Sequence, residues 1–251
     1  MKVIFLGTAG LVPGIGLQIS GRRGMLSIVI DDDTLLELGD GALRNINAHG
    51  VNLNKVKRIL VSHLHSDHFI GIVHVLFSMM NVFNRTNPLE VIGPKGIAAA
   101  TQGLMDLCEL PVAHREKRGY DIEYRELGER ETLDDLQTVR GDHPSEAHAF
   151  RIERNGRALA YNGESVFTKE VTDLVRGADL LICTVVVLEP HSFHIAPRDL
   201  GKAATQAGVK RVAAVHWPTE FEGKRDELTR MIRDHYDGEV IVPDDFTEVE
   251  V

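Results

Sequence analysis

The chain is poor in the features that mark secreted and membrane-spanning proteins. Only two cysteines, Cys108 and Cys183, occur among 251 residues, too few for a disulfide framework or a cysteine-rich zinc site. Both stand in apolar sequence surroundings, and we expect both to be reduced core residues. No run of 18 apolar residues occurs, so no membrane span is predicted.

Positive charge is also scarce. The formal net charge is −9, because 37 Asp and Glu outnumber 28 Lys and Arg. This balance argues against broad, nonspecific nucleic-acid binding, although a local basic patch is compatible with it. The first seven residues are too short for the apolar part of a signal peptide. We expect a cytoplasmic protein with one domain over residues 1–251, since no linker composition interrupts the chain.

Histidine, by contrast, is concentrated in the stretch His63-Leu64-His65-Ser66-Asp67-His68. It follows a short aliphatic run that predicts a strand and precedes an apolar segment that predicts a helix. Imidazole and carboxylate ligands suit Zn²⁺, Mn²⁺ or Fe. His63 and His65 would serve one metal, and Asp67 and His68 a second. Solvated loop histidines, with Asp67 capping the helix, are the alternative, and the density of ligands disfavours it.

Elsewhere, strands alternate with helices in both halves of the chain, which predicts two β-rich layers with helices outside. Asn155-Gly156 between two strand-like runs is a strong hairpin signal. Residues 129–136 are predicted to be an acidic connection, and the residues after 243 an acidic tail. Residues 10–24 are rich in glycine and are predicted to form a loop over the active site. Arg22 and Arg23 in that loop would meet an anionic substrate or be solvated.

The motif at 63–68 resembles the HxHxDH motif of the metallo-β-lactamase fold. The turn Gly93-Pro94-Lys95-Gly96 resembles the equivalent point of the ribonuclease Z-like branch of that superfamily. The resemblance implies an α/β (α+β) protein with a four-layer αββα sandwich. It also implies a hydrolase that depends on two divalent metal ions, with Zn²⁺ expected and Mn²⁺ or Fe as alternatives. A homodimer is a further implication of the resemblance.

Three residues at predicted strand ends, His143, Glu164 and His216, are further ligand candidates, since strand ends on one edge of a sheet converge. By resemblance, His143 completes the first metal site and His216 the second. The family places a bridging aspartate in a Gly-Asp-Thr pattern, whereas this chain has Gly163-Glu164-Ser165. Glutamate is one methylene longer, so it could bridge, bind one metal only, or act as an acid or base.

Several supporting roles stay open. His148 competes with His143, which we prefer because His148 begins the next predicted strand. By resemblance, His194 would contact the scissile phosphate and protonate the leaving group, with His191 as its competitor. Asp67 would orient the attacking hydroxide while it ligates. By resemblance, Asp40 would orient a ligand histidine through its ring N–H, or it would cap the following helix with Gly41.

The substrate is the least determined property, because a fold does not fix it. We expect a phosphodiesterase acting on a small, cyclic phosphodiester. A tRNA 3′-end endonuclease is the alternative, but that family usually carries a long tRNA-gripping arm between the third histidine and the bridging carboxylate. Here only 21 positions separate His143 from Glu164. An ester or lactone hydrolase would need an apolar pocket, for which the candidates are Phe193, Trp217, Met79 and Met80. The remaining alternative is a protein that binds the metals but catalyses no reaction.

Overall fold

The computed structural model describes residues 1–11 and 22–251. Most of the loop predicted over residues 10–24 therefore lies outside the described residues. The strands are β1 (Lys2–Gly7), β2 (Ser27–Ile30), β3 (Thr34–Leu38), β4 (Arg58–Leu60), β5 (Leu89–Gly93), β6 (Ile122–Glu126), β7 (Arg130–Leu133), β8 (Leu136–Arg140), β9 (His148–Arg154), β10 (Arg157–Tyr161), β11 (Leu180–Thr184), β12 (Arg211–Val215), β13 (Glu239–Ile241) and β14 (Thr247–Glu250).

The helices are α1 (Ala42–His49), α2 (Ser66–Phe69), α3 (Ile72–Asn81), α4 (Ile97–Leu107), α5 (Arg115–Arg118), α6 (Lys169–Val175), α7 (Pro197–Ala207) and α8 (Arg225–Arg233), with 3₁₀ turns at Pro111–Ala113 and Thr219–Phe221. Helix α7 ends at Gly208, whose φ of 64° provides the left-handed C-cap. Within the described ranges no helix is long and apolar enough to cross a bilayer.

The strands of the described ranges form two sheets of seven. The first sheet has the order β14-β1-β2-β3-β4-β5-β6, and the second has the order β13-β12-β11-β10-β9-β8-β7. Strands β3 to β6 run parallel, as do β10 to β13. Because parallel strands end at one edge of a sheet, the loops that follow β4, β10 and β12 are brought to the same side of the molecule.

Three apolar clusters separate four layers, as expected for an αββα sandwich. The middle cluster joins the inner faces of the two sheets and includes Phe5, Ile28, Phe150, Tyr161 and Ile182. A second cluster packs α1, α3 and α4 on the first sheet, and a third packs α6, α7 and α8 on the second. The predicted fold class is therefore confirmed.

The hairpin predicted at Asn155-Gly156 joins β9 to β10, with Arg154 paired opposite Arg157. Both turn residues have positive φ, 52° and 71°, which is the conformation that a two-residue type I′ turn requires. At this end of the molecule Arg154 contacts Asp31 and Asp33 of the first sheet's β2–β3 turn at 3.1 and 2.9 Å. These ion pairs join the two sheets at the hairpin end.

Three predictions about the periphery were wrong. Residues 130–133 of the predicted acidic connection form strand β7, and residues 247–250 of the predicted acidic tail form β14. Both are edge strands whose exposed and covered positions alternate, and an edge strand tolerates charged side chains without disturbing the sheet. Cys183 is buried as expected, but Cys108 is exposed because it caps the uncovered end of α4, beside Leu107.

Candidate metal centre

The loop after β4 places four candidate ligands at the meeting edge of the two sheets. His63 and His68 are completely buried and Asp67 is 6% exposed, whereas His65 faces solvent. Helix α2 begins at Ser66, so Asp67 and His68 lie in its first turn and point back toward the loop. The Ser62 hydroxyl lies 2.9 Å from Nδ1 of His63, which leaves Nε2 of that ring directed into the site.

The second sheet supplies the remaining candidates from the ends of β8, β10 and β12. His143, Glu164 and His216 are all buried. Together with the loop after β4 they form groups whose ligand atoms lie within 4.8 Å of one another: His63, His65 and His143; His63, His68 and Glu164; Asp67, His68 and His216; and His143, Glu164 and His194. All seven residues predicted as metal ligands are therefore brought together in one place.

Glu164 lies at the centre of this arrangement. Its Oε2 is 2.7 Å from Nε2 of His68 and 3.7 Å from Nε2 of both His63 and His216. Its Oε1 is 4.0 Å from Nε2 of His143 and 3.6 Å from Nδ1 of His194. One carboxylate thus reaches ligand candidates of both groups.

A tight turn aims this carboxylate. Gly163 has a φ of 62°, and a Cβ at that position would overlap the carbonyl oxygen of His148, so only glycine fits. Glu164 itself has a φ of 64°, and Glu37 and His216 have values of 57° and 60°. Left-handed conformations of non-glycine residues are unfavourable and collect at functional sites. Here three of them support one centre.

The donor atoms fit a divalent cation better than they fit one another. Among the described residues, Nε2 of His63, His68 and His143 and Oε2 of Glu164 are buried without a hydrogen-bond partner. The short approach of His68 to Glu164 thus lacks the alignment of a hydrogen bond. Ligands about 2.1 Å from a shared tetrahedral ion stand roughly 3.4 Å apart, which is close to the 3.7 Å that separates Oε2 of Glu164 from Nε2 of both His63 and His216. Buried, unpaired imidazole and carboxylate groups of this kind suit Zn²⁺, Mn²⁺ or Fe.

The pKa shifts of Glu164, Asp67 and His63 also favour metal binding. Burial acts to raise the pKa of Glu164, but His216 and His68 outweigh it and hold that pKa well below 4.5. Burial likewise opposes ionisation of Asp67, but contact with His216 and the charge of His68 keep its pKa below 3.8. Burial holds the pKa of His63 well below 6.5. The ionised carboxylates and the neutral imidazole of His63 are in the protonation states that metal binding requires, and His68 would have to release its proton to bind an ion.

The buried carboxylate beneath the centre belongs to Glu37. The prediction that Asp40 takes this position was wrong. Oε1 of Glu37 accepts a hydrogen bond from the Ser62 backbone N–H at 3.1 Å, and its Oε2 lies 3.7 Å from Nδ1 of His68. Burial acts to lower the pKa of His68, but Glu164 and Glu37 raise it well above 6.5. Asp40 is exposed, and the N-cap of α1 is Gly41 without a side-chain bond.

The histidines left in competition occupy different places. His143 belongs to the ligand groups, whereas His148 is buried beside Glu146, with Nε2 3.3 Å from its Oε1. His194 borders the centre, its ring centroid 5.7 Å from that of His143. His191 is exposed and stacks on His194 at 5.1 Å. His143 and His194 therefore lie at the centre, whereas His148 and His191 do not belong to the ligand groups.

Two features near the centre are absent from the sequence-based prediction. The Leu11 backbone N–H donates to Oδ2 of Asp67 at 2.8 Å, so the chain that follows β1 contacts a ligand candidate. Arg23 neither faces solvent nor reaches into the centre. It is buried with its guanidinium 3.5 Å from the centroid of the Trp217 ring. No sequence signal distinguishes it from Arg22, which is exposed.

Comparison with known proteins decides the family. The family model described as a beta-lactamase superfamily domain matches residues 33–217, which include every ligand candidate. The chain belongs to the beta-lactamase superfamily. Within it the chain falls in the ribonuclease Z-like branch, and it is a metal-dependent hydrolase that acts on ester bonds.

Individual members of the superfamily resemble the chain over its whole length. A ribonuclease Z of Mycolicibacterium gilvum is 25% identical over 281 aligned positions, covering 100% of this chain and 96% of the relative. The crystal structure of human tRNase Z, short form, superposes with a TM-score of 0.75 at 19% identity, covering 100% and 99%. That of a diphosphatase from the PhnP family superposes with a TM-score of 0.71 at 15% identity, covering 100% and 97%. At these identities the two structures establish the shared fold.

Proposed function

We propose that this member of the superfamily is a dinuclear phosphodiesterase that hydrolyses a small, cyclic phosphodiester. The observation that carries the proposal is the convergence of two ligand groups on Glu164, beside a segment too short to hold an arm for a large substrate. We also propose that residues 1–251 form one domain. The cytoplasmic location and the homodimer stay predictions.

His63, His65 and His143 would hold one divalent cation, and Asp67, His68 and His216 would hold the other. Glu164 would ligate both, because its Oε2 lies among donors of the two groups. We expect Zn²⁺, with Mn²⁺ or Fe as alternatives. When bound, such cations would lower the pKa of a water molecule and neutralise charge that develops on the phosphoryl oxygens.

The chain's own groups complete the reaction. The Leu11 backbone N–H donates to Oδ2 of Asp67, which restrains the orientation of its carboxylate, and in this proposal Asp67 also orients the attacking water. His194 presents Nδ1 toward the centre from the outer side. From there it can deliver a proton to the leaving oxygen, a role that contributes about 10²–10⁴-fold to rate in general acid catalysis.

The segment between His143 and Glu164 bears on the size of the substrate. This segment consists of β9, β10 and their hairpin turn, which lie within the second sheet. The turn lies at the end where Arg154 contacts Asp31 and Asp33, so it does not extend over the metal centre. The ribonuclease Z of M. gilvum aligns over 281 positions against the 251 residues here, so part of that alignment has no counterpart in this chain. These features favour a small substrate over a tRNA.

Processing of tRNA 3′ ends is the second candidate, because relatives called ribonuclease Z match the whole chain. One experiment separates the two. We would measure kcat/KM for a 2′,3′-cyclic nucleotide, bis-p-nitrophenyl phosphate, a precursor tRNA with a 3′ trailer and a lactone, with Zn²⁺ or Mn²⁺ added. The proposal expects the cyclic phosphodiester to have the highest value. Cleavage of the precursor tRNA with a higher kcat/KM than any small substrate would establish the alternative.

A lactone or ester hydrolase has less support. Of the residues considered for an apolar pocket, Met79 and Trp217 are buried within the outer apolar clusters, on the first and second sheets respectively. Phe193 remains partly exposed, at 38%. Preference for the lactone in the same panel would nevertheless overturn the assignment to phosphodiesters.

The role of His194 has its own test. A p-nitrophenolate leaving group needs no proton, whereas an alkoxide does. We expect His194→Gln to lower kcat for an alkyl phosphodiester by about 10²-fold or more and to change kcat for bis-p-nitrophenyl phosphate much less. Equal losses on both substrates would remove His194 as the proton donor.

A further inference from the structure

Arg23 contacts the backbone next to His216. Its side chain is 3% exposed and stacks on the Trp217 ring. Nη1 donates to the carbonyl oxygen of Thr8 and Nη2 to that of Trp217, both at 3.1 Å. One planar guanidinium thus holds two carbonyl groups that flank residue 216.

His216 depends on these contacts for its conformation. Its φ is 60°, which is unfavourable for a residue with a side chain and persists only where the surroundings hold it. Its backbone N–H donates at 2.8 Å to the Thr8 carbonyl, the same oxygen that accepts from Arg23. In this conformation Nε2 of the imidazole lies 3.0 Å from Oδ2 of Asp67.

The segment Thr8–Leu11 touches the same two ligand candidates. A Cβ at Gly10 would overlap the His216 ring, so the backbone lies directly against the imidazole. The Leu11 N–H bonds to Asp67. Thr8 is fixed in turn by Asp245, whose Oδ1 accepts from the Thr8 N–H and hydroxyl at 3.0 and 2.9 Å.

We propose that Arg23 is a positioning residue for the second metal group, Asp67, His68 and His216, acting through Thr8 and Trp217. The inference rests on the metal centre of the proposed function. None of the Arg23 contacts given above reaches the first group, His63, His65 and His143. Removal of Arg23 should therefore weaken one of the two metal sites selectively, which simple loss of stability would not do.

Arg85 provides a matched control. It is 3% exposed, and it donates to the carbonyl oxygens of Asn87, Leu53 and Pro88 at 2.7, 2.9 and 2.6 Å. Arg23 likewise donates to three groups, because its Nε also contacts Oε1 of Glu222 at 3.4 Å. Arg85 lies beside an aromatic ring, 5.7 Å from the centroid of Tyr120. Arg85→Met therefore removes a buried, hydrogen-bonded guanidinium as Arg23→Met does, without touching the metal groups.

The experiment uses the full chain stripped of metal and titrated with Zn²⁺ or Co²⁺. Bound metal is counted by mass spectrometry after equilibrium dialysis, and the Co²⁺ absorption bands report the geometry of each site. We expect wild type and Arg85→Met to bind two ions with similar affinities. Arg23→Met should keep the first ion and bind the second about 10–100-fold more weakly, the range typical of residues that orient ligands. Arg23→Lys keeps the charge but not the planar fork, so its affinity for the second ion should lie between those of the wild type and Arg23→Met.

Gly10→Ala is a second variant, since it displaces the His216 ring while Arg23 stays in place, and it should show the same selective loss. If Arg23→Met does not fold, Arg23→Lys decides the question, because it removes the planar fork and keeps the charge. Wild-type affinity for both ions in a folded Arg23 variant would overturn the inference and leave the proposed centre intact. Failure of the wild type to bind two ions would instead overturn the centre itself.

Discussion

Shortening Glu164 to aspartate tests how the centre uses its unusual carboxylate. The substitution removes one methylene, about 1.5 Å of reach. Withdrawn by that distance, the carboxylate oxygen now 2.7 Å from His68 and 3.7 Å from His63 would stand about 4.2 and 5.2 Å away. Donors of one tetrahedral ion lie only about 3.4 Å apart. The shorter carboxylate should therefore lose at least one of the two groups.

The expected result is a second metal ion bound at least 10-fold more weakly, since even indirect ligand support is worth about 10–100-fold. Hydrolysis of bis-p-nitrophenyl phosphate should fall in parallel at limiting metal and recover partly at excess metal. The backbone does not confuse the test, because aspartate tolerates a φ of 64° better than glutamate does. Metal content after dialysis and kcat as a function of free Zn²⁺ or Mn²⁺ are the measurements.

Glu164→Gln is the matched control, because it keeps the reach and removes the charge. If reach matters, the two variants should differ, with the aspartate losing one ion and the glutamine weakening both. Unchanged metal affinity together with unchanged or higher kcat in Glu164→Asp would refute the reasoning. The centre would then accommodate the ordinary aspartate, and the extra methylene would have no function.

Three further predictions concern support and stability. Glu37→Gln should weaken metal binding about 10–100-fold in calorimetric titrations, because the charge facing His68 is lost, and unchanged affinity would exclude the role. Chelation should lower the melting temperature, since an ion at 1,000 times its Kd stabilises the fold by about 4 kcal/mol; an equal melting temperature with and without metal contradicts this. Arg154→Met should lower the free energy of unfolding by about 1–3 kcal/mol at pH 7 in urea titrations. Burial opposes ionisation of Asp33 and Asp135, but Arg154 keeps the pKa of Asp33 below 3.8, and Arg58 and Arg154 do the same for Asp135. The stabilisation is therefore present above pH 3.8 and is lost as pH falls further. Arg154→Met should lose less unfolding free energy on acidification than the wild type, and an unchanged pH dependence would count against the ion pairs.

Much of the centre follows from sequence because its ligands come directly after strands. His143, Glu164 and His216 follow β8, β10 and β12, and strands of one direction deliver their ends to one edge. The choice between His143 and His148 also rests on this rule, since β9 begins at His148. A sequence therefore predicts which residues meet, even though it does not give their distances.

The residues that support the ligands were not predictable in the same way. Glu37 stands within β3 with a left-handed φ, which no local pattern indicates, whereas Asp40 has the familiar turn context and is exposed. Arg23 and Arg22 are adjacent and chemically identical, and only packing against Trp217 separates them. The edge strands β7 and β14 were missed because an edge tolerates acidic residues that would be excluded from a central strand.

The division of ligands between two sheets has a mechanical consequence. The loop after β4 belongs to the first sheet, and His143, Glu164 and His216 belong to the second, so cations held by these groups would cross-link the two sheets at one edge. At the hairpin end, Arg154 joins the same sheets through Asp31 and Asp33. The inner apolar layer is thus fastened at both ends, and binding energy from the metal would resist separation of the sheets as well as orient a substrate.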